Sequence, residues 1–219
     1  MTQSGSPFDP VRDAILAETL KAAAFDGFTP VALGRAAMAA GKSKADLAAA
    51  FPGGAIDLLR WWSARADGAA AAAAGVRREP PLKIREKVAA GIEARLAFLS
   101  QHKEAARRSA AYLALPHNAP EAVRLVWATA DAIWRAMGDS STDFNYYSKR
   151  AILSGVLSST FARWLADDTE DASATKAFLA ARIDNVMQFE KLKARVRDSG
   201  FEQAGMFGWL AKMRYPGRR

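Results

Sequence analysis

The chain has 219 residues, half of them hydrophobic, with 31 Lys and Arg against 23 Asp and Glu, a formal net charge of +8 and no cysteine. That length allows one large domain or one and a half, with a sizeable core, and the lack of cysteine excludes disulfides, thiolate catalysis and thiolate metal sites. The basic balance points to an anionic partner, nucleic acid or lipid headgroups.

Abundant alanine and the absence of β-branched runs predict an all-α fold. The opening MTQSGSPFDP lacks the basic and apolar regions of a secretory signal, and residues 1–7 read as disordered. Val11, Ile15, Leu16, Leu20 and Ala24 then keep helical spacing from Asp9 to Phe25. Gly27 ends that helix and Pro30 starts a second, with Val31, Leu33, Ala36 and Ala37. Gly41 breaks it, and Ser43 caps a short third helix, Lys44 to Phe51, closed by Pro52-Gly53-Gly54. Residues 8–54 therefore form a helix-turn-helix-like unit.

From 55 to 198 the pattern is a bundle of longer helices. One runs from Ile56 to Ala74 with Leu58, Leu59, Trp61 and Trp62, followed by the connector GVRREPP at 75–81. Lys83 to Ser100 is amphipathic, with Ile84, Val88, Ile92, Leu96 and Leu99 on one face and Arg and Glu opposite. Glu104 to Leu115 follows. Pro116-His117-Asn118 stops it, and Asn118 is expected to cap a helix over 119–137. Thr142 to Ala166 and Ala172 to Asp198 complete the set, joined by an acidic loop from Asp167 to Asp171 that reads as a solvated face.

The third helix reads SKADLAAAF, exposing Ala45, Ala48 and Ala49 with Lys44 as its only basic side chain. Reading bases requires Arg, Asn or Gln side chains that bond base edges; Lys42 and Lys44 offer phosphate contacts only. The N-terminal unit resembles the DNA-binding domain of TetR-family regulators at Gly27-Phe28, Ala40-Gly41, Ser43, Leu47, Phe51 and Asp57-Leu58. With this recognition helix the expectation is architecture retained without sequence-specific nucleic-acid binding.

In the tail, 199–219, Met206, Trp209, Leu210 and Met213 fall at i, i+3, i+4 and i+7, with Phe207 beside them and Lys212 and Arg214 around them. This stripe predicts an amphipathic membrane-binding helix; the competing expectation is a helix packed onto its own domain. No Gly-rich phosphate loop, activated serine or metal-binding i,i+4 pattern occurs, so no enzyme activity, metal or cofactor is expected.

The densest cluster is GDSSTDFNYYSKR at 138–150. Gly138 closes one helix, Ser141 or Thr142 caps the next, and Asp143 suits its N-terminus. Successive helical residues point ~100° apart, so Phe144, Tyr146 and Tyr147 cannot all face one core. Either some aromatic surface reaches a partner, or the corner is packed with only tyrosine hydroxyls in water. Cavity candidates on the apolar faces of the middle helices are Leu96, Leu99, Leu113, Leu115, Val126, Trp127, Ala130 and Ile152.

The stretches LPHNAP (115–120), Trp134 to Arg150, and FLAARIDNVM (178–187) resemble the Coq-nine family of ubiquinone-biosynthesis accessory proteins. The resemblance implies a TetR-like fold and a homodimer, with residues 55–198 as a lipid-binding and dimerisation domain. It also implies an internal pocket for an isoprenoid lipid or quinone intermediate, a last helix on the phospholipid membrane, and docking to the demethoxyubiquinone hydroxylase. Carried over, the docking patch falls on Asp131, Ile133, Trp134, Tyr146, Tyr147 and Arg150, with Tyr146 standing where the family usually has tryptophan. No mitochondrial presequence is evident, which fits a cytoplasmic protein peripheral on the inner membrane. The competing reading is a TetR-type transcriptional regulator with a lipid-sensing domain, supported by the helix-turn-helix and the positive charge.

Overall fold

A computed structural model describes residues 9–142 and 144–198. Among them are nine helices and no strand: α1 (Asp9–Asp26), α2 (Pro30–Ala39), α3 (Lys44–Ala50), α4 (Ala55–Ala74), α5 (Ile84–Ser100), α6 (Lys103–Leu113), α7 (Ala119–Ala136), α8 (Phe144–Leu165) and α9 (Ser173–Asp198). None of these is long and apolar enough to cross a membrane. The tail residues expected at the membrane (Met206, Phe207, Trp209, Leu210, Lys212, Met213 and Arg214) lie outside the described residues, as does Asp143.

Local chemistry explains the first three helices. Gly27 takes φ +62°, the left-handed conformation that ends α1 without a Cβ clash. Thr29 Oγ1 accepts from the Ala32 amide to cap α2, which begins with Pro30. Ser43 and Asp46 form a reciprocal capping box on α3, each side chain accepting from the other residue's amide. Ala45, Ala48 and Ala49 on α3 are exposed, so the face that a DNA-reading helix would present carries methyl groups.

One buried cluster runs through the protein, from Ile15, Leu16 and Leu20 on α1 through Leu58 and Trp62 on α4 to Ile133 on α7 and Leu179 on α9. The helix-turn-helix unit thus shares the core of the bundle. Helix α4 packs against α5 and α7. Its inward stripe of Ala66, Ala70 and Ala74 is small, which lets α5 come close. At the crossing, a Cβ on Gly91 would lie 3.2 Å from the Ala70 carbonyl oxygen and 3.4 Å from Ile133 Cδ1.

Two sequence expectations fail locally. Asn118 occupies the cap position of α7, but its side-chain amide donates to the Tyr112 carbonyl (2.9 Å) instead of accepting from α7. Asp167 is not part of a solvated face; it is 3% exposed. One carboxylate oxygen accepts from the Thr169 amide and hydroxyl, the other from the Thr175 amide (2.7 Å) and hydroxyl (2.6 Å). These bonds hold its carboxyl well below the usual range and tie the α8–α9 loop to the start of α9.

Candidate functional site: an apolar cavity and an aromatic corner

Between α4, α5, α6, α7 and α8 lies a cavity of about 280 Å³. Its apolar wall includes Leu59, Trp62, Ile92, Leu125, Leu157 and Phe161, with Leu96, Leu99, Leu113 and Val126 from the expected set. The other expected residues lie elsewhere. Leu115 is 42% exposed beyond the end of α6. Ala130 is buried in the core, and Ile152 faces a shallow groove between α8 and α9 with Val156, Arg182 and Val186. Trp127 is half-buried and off the cavity wall, its ring beside that of Tyr147. Sequence periodicity found the apolar faces, but only packing decides which part of a face borders empty space.

The cavity has a polar end that the sequence reading missed. Arg95 Nη2 donates to Ser63 Oγ (3.0 Å), and Nη1 donates to the Ser63 carbonyl (3.2 Å) and to Asp67 Oδ1. Thr129 Oγ1 lies 2.7 Å from the same Asp67 oxygen. Burial pushes the Asp67 carboxyl up, opposed by Arg95 and Thr129, and burial likewise pushes the Arg95 guanidinium down. The signal was present: Arg95 sits at i+7 from Val88, inside the apolar stripe of α5 rather than on its charged face.

The second feature is the corner between α7 and α8. Gly138 takes φ +85° and turns the chain after Met137. Arg150 is 1% exposed; its Nε donates to Asp131 (2.7 Å) and its Nη1 donates to Asp139 and to the Tyr146 carbonyl (both 3.1 Å). The guanidinium lies 3.5 Å from the Tyr146 ring centroid. Asp139 also accepts from Lys149 (2.7 Å) and Ser141 (2.6 Å), and this Lys149 and Ser141 contact holds its carboxyl far below the ordinary value. For Asp131, burial pushes upward, but Arg150 and Arg135 outweigh it and hold the carboxyl below its ordinary value. Trp134 donates from its indole to the Lys149 carbonyl (3.2 Å), with the Lys149 ammonium over its ring at 5.3 Å.

Of the expected docking patch, Ile133 and Arg150 must be removed as contact residues. Ile133 is 0% exposed because its side of α7 packs on the α4–α5 crossing, and Arg150 is drawn inward by two carboxylates. Asp131 and Trp134 are partly buried, engaged with Arg150 and Lys149 respectively. What reaches solvent is Tyr147, 61% exposed, edge-on to Tyr146 at 5.1 Å and beside Trp127 at 6.4 Å. Exposed Val123, one turn before Trp127, extends this surface. Trp127 and Val123 carried a legible signal, since i,i+4 spacing puts them on one face of α7.

A helix-turn-helix joined through one core to a helical half with an apolar cavity defines the class: a TetR-like fold. The crystal structure of the TetR transcriptional regulator from Nitrosomonas europaea ATCC 19718 matches with a TM-score of 0.66 at 22% identity, over 80% of this chain and 97% of that one. Within that fold, residues 119–190 match the COQ9 family model. Ubiquinone biosynthesis protein COQ9, mitochondrial, from Bos taurus is 34% identical over 109 residues, 50% of this chain and 34% of the relative. The Homo sapiens protein of the same name is 33% identical over the same shares. The probable ubiquinone biosynthesis protein coq9 of Dictyostelium discoideum is 28% identical over 54% of this chain and 38% of its own length. The chain spans about a third of the length of the curated relatives it matches.

Proposed function

We propose that the protein is a non-catalytic, lipid-binding accessory protein of ubiquinone biosynthesis. It takes an isoprenoid quinone intermediate into the α4–α8 cavity and presents it to the demethoxyubiquinone hydroxylase. The observation that carries this reading is the two-sided construction of α7. Leu125, Val126 and Thr129 line the cavity, while Val123 is exposed and half-buried Trp127 stands off the cavity wall beside Tyr147. The names of the relatives supply the pathway. Each CH₂ moved from lipid to water costs roughly 0.8 kcal/mol, so a prenylated quinone needs an apolar shelter to reach a partner's site. At about 280 Å³ the cavity lies just below the ~300–1,000 Å³ range of ligand sites, which suits a ring and the first part of a tail, with the rest left in a bilayer. The protein acts as a homodimer, peripheral on the inner membrane.

Native mass spectrometry of the purified protein tests the ligand. A co-purifying prenylated quinone or quinone precursor is expected. A protein free of lipid that also fails to take up a short-chain quinone would refute the reading. The membrane contact is assigned to residues 199–219, motivated by the Met206, Trp209, Leu210 and Met213 spacing with Lys212 and Arg214 alongside. Deleting 199–219 should abolish co-sedimentation with anionic vesicles, and undiminished sedimentation of the truncated chain would exclude this segment.

A further inference from the structure

The polar end of the cavity is built around a charge that is already matched. Among the described residues lining it, Arg95 carries the one charged side chain. A guanidinium has five N–H donors. Three of the Arg95 donors are engaged, two on Ser63 and one on Asp67, which leaves two without a partner among the described residues. Unused donors on a buried wall favour a ligand that brings an acceptor oxygen. The Asp67 carboxylate, fixed by Arg95 and Thr129, neutralises the cation from behind. An anionic head group would therefore place a second negative charge beside Asp67 in a poorly screened setting, whereas a neutral carbonyl or ether oxygen would take the free donors without that penalty.

We propose that the Arg95–Asp67 pair makes the cavity selective for neutral, acceptor-bearing head groups, such as a quinone ring, over anionic lipids with the same tail. This rests on the cavity being the ligand site. In it, Arg95 touches the head group, and Asp67 is a positioning and charge-matching residue that acts through Arg95. The pairing works as a filter because fatty acids and phospholipids are present in any membrane and share the apolar tail; the head group is the part that distinguishes the cargo.

The test uses the delipidated full chain, titrated calorimetrically with a decyl-substituted benzoquinone and with undecanoate, two probes with the same tail length. The quinone should bind at least about tenfold more tightly. Asp67→Asn leaves the guanidinium unmatched, so undecanoate should gain roughly tenfold while the quinone changes by less than about threefold; a structural defect alone would weaken both. Arg95→Gln removes the donors and leaves Asp67 without its cation, so the quinone should weaken while undecanoate gains nothing over the wild type. Equal affinities in the wild type overturn the filter while leaving the cavity as a ligand site, and this arm needs no variant to fold. An Asp67→Asn protein that binds both probes as the wild type does also overturns it. Failure of the wild type to bind either probe refutes the cavity reading itself, and the filter with it.

Discussion

Arg150→Met is expected to cost about 3 kcal/mol of stability, the low end of the ~3–5 kcal/mol typical for removing one partner of a buried ion pair. The cause is the two carboxylates left behind: Asp131 and Asp139 both face the vanished guanidinium from α7 and the turn after it. The low end is appropriate because Asp131 keeps exposed Arg135 and Asp139 keeps Lys149. For a chain of this size the loss corresponds to a fall in Tm of about 6–12 °C. The pH dependence follows from the depressed carboxyls. Their folded values lie below the ordinary one near 3.9, so their contribution is complete above that pH and is lost as pH falls through the folded values. The gap between wild type and Arg150→Met should therefore be full at pH 7 and narrow below about pH 4. A Tm within ~2 °C of wild type at pH 7 would show that the pair is not a structural tie.

Tyr147→Ala should do the reverse. The ring is mostly in solvent, so its loss should move Tm by no more than about 2 °C and leave lipid content unchanged, since surface changes are mostly within ±0.5 kcal/mol. Interfaces concentrate their energy in Trp, Tyr and Arg, where truncation costs ≥ ~2 kcal/mol. On the proposed reading, capture of the demethoxyubiquinone hydroxylase should weaken roughly thirtyfold. Trp127→Ala should act in the same direction, because its ring stands beside that of Tyr147. Capture unaffected by both substitutions would place the docking face elsewhere.

The contrast between Arg150 and Tyr147, three residues apart in one motif, shows what was legible in the sequence. The helix ends were legible, because Gly27, Pro30, Gly41 and Ser43 act locally through φ, a missing N–H or a cap. The existence of an aromatic corner was legible from angular spacing. Which of its side chains face inward was not. Arg150 reads as a surface cation by residue type, and it is drawn inside by Asp131 and Asp139, 19 and 11 positions earlier in the chain. Arg95 is the same case at the cavity. Its place within the α5 stripe was visible, but the partner that lets a cation sit there is Asp67, in the alanine-rich run of α4. Trp127 shows the opposite error, an apolar residue assigned to the cavity by type and placed off its wall, half-buried beside Tyr147, by its position on α7.

On the proposed reading, helix α7 also joins two binding equilibria. A ligand pressing on Val126 or Thr129 and a partner pressing on Trp127 act on adjacent residues of one hydrogen-bonded rod, anchored at its far end by the Asp131–Arg150 tie. If cargo in the cavity changes partner affinity by some factor, thermodynamic linkage requires the partner to change cargo affinity by the same factor. Loading that promotes docking therefore means docking that tightens the grip on cargo. Release must then be driven by something outside that cycle: competition from the partner's own site, or conversion of the cargo into a molecule the cavity holds less well.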